Sequence, residues 1–286
     1  MAAFNFLLYP FLGCLLLVLI HAYFGVHILE RGVIFLDLSL AQFIGLGIAV
    51  SFFFGHAAAG RYVFALIFAV AGAAVLSFSR RISRLVNIEA FIGVLYVFSL
   101  AASILILDRT PHGLEEFQAI LNGNILWLTP RDILHAFAIY AVIGLVQFIF
   151  RKRFFDLSYG RGGGLFWEFL FFLSFALVLV SSVQIAGILQ VFSFLVIPAL
   201  IGRMFTRKPS KILVIGWSIG FLASVFGLFV SYRLDVPTAP LIIASLSIAF
   251  FVMLAVKSRR GRDRPDEKEE LSSMNSQPDP GRPRSS

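Results

Sequence analysis

The sequence predicts an all-α protein, a polytopic bundle of about nine membrane-spanning helices with its N-terminus outside and its C-terminus in the cytoplasm. Three observations predict it. Composition is the first: 59% of the 286 residues are hydrophobic and 14% charged, at a mean hydropathy of +0.89. A soluble domain is about 45–50% apolar and about 25% charged. The second is the recurrence of apolar runs of about 20 residues, the length a helix needs to cross a bilayer core. The third is that lysines and arginines fall in the short gaps between those runs, with a strong bias to alternate gaps. Thirty-three phenylalanines oversupply any aqueous core of this size. A water-soluble enzyme, a disordered chain, a disulfide scaffold and a DNA-binding domain are thereby excluded. The net charge of +8 follows topology and does not form a nucleic-acid patch, so no nucleic-acid partner is expected. Cys14 is the single cysteine and lies inside the first apolar run, which leaves no intramolecular disulfide and no thiolate zinc cage.

The spans fall at roughly 5–28, 33–54, 62–79, 86–107, 132–150, 166–184, 187–205, 211–231 and 237–256. The first has no basic stretch before it and no small-residue cleavage site after it, so it is read as a span and not as a signal peptide. The stretch from Phe166 to Phe205 is too long for one helix across a core of about 30 Å. A turn, or a broken or re-entrant helix, is expected near Ser181-Ser182-Val183-Gln184-Ile185-Ala186-Gly187.

Orientation comes from the basic residues. One set of alternate connections holds Arg31; Arg80, Arg81 and Arg84; Arg151, Lys152, Arg153 and Arg161; and Arg203, Arg207, Lys208 and Lys211, twelve in all. The other set holds four: Arg61, Arg109, Arg131 and Arg233. The richer side is cytoplasmic, and an odd number of spans puts the C-terminus there too.

Two stretches lie outside the bundle. Residues 1–256 form the transmembrane domain; residues 257–286 turn abruptly to Arg, Asp, Glu, Ser and Pro and form a disordered, charged cytoplasmic tail. The outer connection 108–131 is long, and its patches Phe117–Leu121 and Ile125–Leu128 predict a short helix on the outer surface, ended by Thr129-Pro130. Its Pro111-His112-Gly113-Leu114-Glu115-Glu116 is read as an exposed charged loop with metal-handling residue types. Arg161-Gly162-Gly163-Gly164 lacks the Lys-Ser/Thr of a phosphate loop and reads as a flexible inner connection. No protease constellation is present.

Ionisable groups inside spans ask for an explanation, because one at a helix centre costs about 2.5–3.5 kcal/mol on insertion scales. They are His21, His27, Glu30, Asp37, Glu89 and Glu168. Asp37 lies about 9 Å into the second span, and Glu89 occupies the equivalent depth in the fourth. Two readings stay open: ion pairs with Arg31 or Arg84, or a shared polar path offering oxygen ligands to divalent cations. His21 and His27 point about 120° apart on one helix and cannot both ligate one ion. They are secondary candidates for the path.

Three segments together resemble the ABC-3 family of metal permeases, the membrane subunits of zinc and manganese/iron ABC importers. They are the first-to-second-span run Gly25–Gln42, the stretch Gln184–Phe205 with its Val196-Ile197-Pro198-Ala199, and Leu234-Asp235-Val236-Pro237 before the last span. The resemblance runs through residues 5–256. It implies a homodimeric permease in the bacterial inner membrane, surrounded by membrane lipid, that passes a divalent metal ion. It also implies a cytoplasmic ABC ATPase that binds the ATP and an extracytoplasmic metal-binding protein that delivers the ion. No cofactor is expected in this chain, and the chain itself is a transporter subunit, not an enzyme. By the same resemblance Gly202, Arg203, Arg207 and Lys208 stand where such permeases couple to the ATPase. One departure bears on the metal. Family members commonly place a His four residues after the second-span Asp, whereas here Ala41 follows Asp37 at that spacing, with Gln42 next. The alternatives to this reading are a proton-coupled secondary transporter using Asp37 or Glu89, and an assembly protein that transports nothing.

Overall fold

In the computed structural model, residues 2–54, 58–123, 125–162 and 164–262 are described. The chain divides into two compact units, Met1–Ser247 and Ile248–Ser286, and the core, cavities and candidate residues all lie in the first. Every described regular element is a helix: α1 Ala2–Arg31, α2 Leu36–Phe53, α3 Ala58–Ser77, a short α4 Ser79–Ile82, α5 Ile88–Leu107, α6 Gly113–Asn122, α7 Pro130–Ile149, α8 Arg151–Ser158, α9 Leu165–Phe205, α10 Pro209–Leu234 and α11 Thr238–Arg262, with a single 3₁₀ turn at Ile125–Trp127. Eight of these are long and apolar enough to cross a membrane. The predicted tail begins inside α11, and beyond Arg262 it lies outside the described residues, as does Gly163 of the glycine run.

The ninth crossing is inside α9. A straight helix of 41 residues would reach about 60 Å at 1.5 Å per residue, twice the bilayer core. Gly187 breaks it, with φ 74° and ψ 165°, a region that essentially only glycine occupies. The two arms then run beside α1 in opposite directions. Glu168, at the start of the first arm, takes a hydrogen-bonded ion pair from Arg31 (2.8 Å), and Arg203, at the end of the second, pairs with Glu30 (2.5 Å). Both ends of α9 therefore meet one end of α1. Between them Gln190, just past the break, reaches Cys14 in the middle of α1. The break is backed by α6: a Cβ on Gly187 would come within 2.3 Å of the Gly123 amide nitrogen. Backbone meets backbone there, and no side chain fits.

α9 is the centre of the bundle. It packs on α1, α3, α10, α6 and α2, and Phe171, Phe175, Val178, Phe194 and Leu195 on it are fully buried, with Phe24 of α1 among them. α5, α7 and α10 turn large apolar side chains outward, including Val94, Phe98, Leu105, Leu134, Phe137, Leu145 and Phe226. That is the pattern of helices whose outer solvent is hydrocarbon.

One expectation is corrected. The Phe117–Leu121 patch forms the expected short helix, α6, seated on the α9 break, with Ile120 and Ile125 buried. Thr129-Pro130 does not end it. Gly123 (φ 64°) does, while Thr129 caps the next helix, its hydroxyl and Asp132 forming a reciprocal capping box with Pro130 at the first helical position. After α7, Phe154 and Leu157 bury themselves and so fix α8, a short helix that the sequence reading does not predict.

Candidate functional site

Asp37 sits in the first turn of α2, not 9 Å along it. Gly32, at φ 68°, ends the α1 turn, and α2 starts only at Leu36. Nearly the whole of this helix is buried, and Asp37 is 0% exposed. Neither of its carboxylate oxygens has a hydrogen-bond partner among the described residues, and neither has the Ser39 hydroxyl. The ion pair with Arg31 or Arg84 is not formed. Arg31 is engaged instead by Glu168, by the Ser158 hydroxyl (3.3 Å from Nε) and by the face of Phe171, 4.0 Å away. Buried polar groups almost always find partners, and a buried carboxylate without one is costly. The N-terminal end of α2 offsets part of that cost through its helix dipole. Ala41, one turn further on, brings no ligand, and Gln42 is buried at 3% exposure.

Glu89 lies in the first turn of α5, half-buried, behind an Asn87 N-cap that accepts from the Glu89 and Ala90 amides. α5 and α2 pack side by side, so both carboxylates belong to first turns of neighbouring helices. No hydrogen bond joins them among the described residues.

His21 and His27 are both buried and face different neighbours. His21 Nδ1 lies 2.8 Å from the Leu17 carbonyl oxygen. A carbonyl can only accept, so Nδ1 carries the proton and Nε2, unpartnered among the described residues, presents a lone pair. Its ring meets Tyr140 of α7 edge-on. His27 Nδ1 is 2.9 Å from the Ser158 hydroxyl, and its ring packs against Phe155 and Tyr23. The four candidates are not gathered into one cluster. No three His, Cys, Asp or Glu side chains converge on a metal-sized point among the described residues.

What the sequence does not reveal is a polar network at the end of the bundle where Arg31, α4, α8 and both ends of α9 meet. Glu30–Arg203, Arg31–Glu168 and His27–Ser158–Arg31 tie α1 to α8 and to both arms of α9. Beside it lies a cavity of about 390 Å³ lined by Glu30, Arg31, Ser79, Ser83, Ser158, Tyr159 and Glu168. Burial pushes the Tyr159 phenol up, and the neighbouring Glu30 charge adds to that. Gln190 is a second residue that sequence reading passes over: it is wholly buried on α9 and its Oε1 has no partner among the described residues. Its signal was an amide inside an apolar run. At the opposite end, a cavity of about 260 Å³ is lined by Arg61, Glu116 and Gln184, and the His112–Glu115 pair stays exposed.

The expected coupling residues divide into two kinds. Gly202 is buried where a Cβ would come within 2.6 Å of the Ile212 carbonyl oxygen, and Arg203 is held by Glu30. Arg207 and Lys208, on the turn into α10, are exposed.

Among the described residues, a set of long apolar helices with a hairpin at its centre, buried unpaired acceptors within it and exposed basic residues on one end is the build of a membrane permease. Residues 3–257 match the ABC 3 transport family, and the chain belongs to that family. It is 25% identical over 244 residues to the manganese transport system membrane protein MntC of Listeria monocytogenes, covering 83% of this chain and 85% of that one. It is 26% identical over 237 residues to the chelated iron transport system membrane protein YfeC of Yersinia pestis, covering 80% and 79%. Its fold matches a chain of PsaBC from Streptococcus pneumoniae in complex with Fab, at a TM-score of 0.71 and 23% identity, over 87% of this chain and 91% of that one.

Proposed function

We propose that this chain is the permease subunit of an ABC importer for divalent metal ions of the manganese, iron or zinc class. It works as a homodimer in the bacterial cytoplasmic membrane, N-terminus outside, by alternating access powered by a separate ATPase. The observation that carries the reading is Asp37, a buried carboxylate with no protein partner among the described residues. It supplies fixed negative charge to a passing cation. His21 Nε2 and the Gln190 Oε1 are uncommitted acceptors of the same kind, and Glu89 adds a second carboxylate at the mouth of a neighbouring helix. Dispersed single ligands suit conduction, because a site with every ligand in place would hold the ion too long to release it. The names of the manganese and chelated-iron relatives support a metal cargo.

The network of Glu30, Arg31, Glu168 and Arg203 belongs to the cytoplasmic end in this reading. It holds the α9 hairpin against α1, so that a push on the turn at residues 206–208 moves the second arm as a unit. Arg207 and Lys208 are the exposed contacts for the ATPase. The charge reversals Arg207→Glu and Lys208→Glu, made together, lower the yield of co-purified ATPase about tenfold or more, the loss expected when like charges are set against a complementary surface. They leave thermal stability and the preference among metals unchanged. An unaltered ATPase yield contradicts the assignment.

The second reading, proton-coupled transport, rests on the same unpaired carboxylate. It requires Asp37 to alternate between protonated and ionised forms, and it needs no ATPase.

A further inference from the structure

A groove with no role in that mechanism runs along the bundle between α7 and α10, floored by α1. Its volume is about 490 Å³. Phe137 and Phe148 of α7, Leu16 and Tyr23 of α1, and Leu213 and Trp217 of α10 line it. Its polar groups are already spent: the Tyr23 hydroxyl donates to the Gln147 Oε1, the Gln147 amide to Ser174, and the Trp217 indole to the Leu19 carbonyl. An occupant of this length of groove must therefore be apolar.

The end of the groove is different. Arg151, Phe155, Pro209 and Ser210 line it there, the end that holds the loop into α8 and the loop into α10. Arg151 is followed by Lys152 and Arg153, and Pro209 lies between Lys208 and Lys211; all five basic side chains are exposed. None of them has a carboxylate partner among the described residues. Arg151 lies over the Phe148 ring, with its Cζ 5.0 Å from the centroid, which seats its charge over the groove wall. An apolar trough within the membrane-spanning height, ending in uncompensated positive charge at one depth, is complementary to one class of molecule. We propose that the groove binds one acyl chain of an anionic phospholipid, whose phosphate is held by Arg151 and Lys211. Basic pockets between transmembrane helices recognise anionic headgroups in this way, and each Lys or Arg beside an anionic membrane surface adds roughly a fivefold factor in affinity. This site stands apart from Asp37 and does not depend on which ion is carried.

Two variants test it in the full-length chain. A Cβ on Gly144, which lines the groove, meets nothing within 4 Å, so Gly144→Phe has space to enter and fills the trough. Arg151→Glu reverses the charge at the mouth on an exposed residue. Each protein is placed in nanodiscs of phosphatidylcholine alone, or of phosphatidylcholine with phosphatidylglycerol, and bound lipid is read by native mass spectrometry after gentle extraction. The wild type retains phosphatidylglycerol over phosphatidylcholine and melts higher in the anionic discs. Gly144→Phe loses both the lipid and the shift. Arg151→Glu holds phosphatidylglycerol at least about fivefold less, with phosphatidylcholine unchanged. Equal retention of the two lipids by the wild type overturns the proposal, as does undiminished lipid on Gly144→Phe. A Gly144→Phe protein that changes from dimer to monomer while lipid retention stays as in the wild type assigns the groove to a second copy of the chain and overturns it as well.

Discussion

Asp37→Asn abolishes metal uptake, to the level of cells lacking the chain, while the protein remains folded. The substitution keeps the side chain's volume and removes only its charge. Because neither carboxylate oxygen has a protein partner among the described residues, nothing structural is lost. A buried unsatisfied group costs about 1–3 kcal/mol, so Asp37→Ala melts at a temperature equal to or above that of the wild type. This pairing of lost transport with kept or raised stability separates a path residue from a structural one. A variant that transports normally takes Asp37 off the path. One that loses transport and melts early makes it a structural residue. The measurements are manganese uptake in cells and thermal unfolding of the purified chain in detergent.

The second large effect is on the fold. Gly187→Ala prevents accumulation of monodisperse protein. Two causes add: a non-glycine residue at φ 74° and ψ 165° is strained by about 1–3 kcal/mol, and a Cβ within 2.3 Å of the Gly123 nitrogen forces backbone apart, at about 1–3 kcal/mol for overpacking. Their sum is a large part of the 5–15 kcal/mol that holds a typical protein together. Gly93→Ala is the control, since its Cβ meets nothing within 4 Å, and it folds at wild-type yield. Normal size-exclusion profiles for both would mean that the hairpin does not depend on Gly187.

The long helices were legible because a bilayer imposes one rule, about 20 apolar residues in sequence, and because each run obeys it. The reversal inside α9 was legible from length alone, and Ser181 to Gly187 marked its neighbourhood. Proof came from tertiary pairing: Glu168 and Arg203, 35 positions apart in the chain, meet adjacent residues of α1. α8 escaped reading because Arg151-Lys152-Arg153 hides the short apolar signal of Phe154 and Leu157. The depth of Asp37 was misread for a related reason. Val33, Ile34 and Phe35 extend the apolar run, but the positive φ of Gly32 keeps them out of the helix. Asp37 itself stood out because it is an acid in an apolar run. Its defining property, isolation from Arg31, could not be read, since Glu168 captures that arginine from 137 residues away. Ser158 and Gln190 are common polar residues whose meaning comes only from what surrounds them.

The measurement that bears most directly on the account is purification of the tagged chain from its native membranes in gentle detergent, with quantification of what accompanies it and of what drives manganese uptake. An ABC ATPase is expected at about one copy per chain, with uptake that stops when ATP is depleted but survives collapse of the proton gradient. A chain recovered without an ATPase, whose uptake dies with the proton gradient and not with ATP, would contradict it and make Asp37 the carrier of a proton.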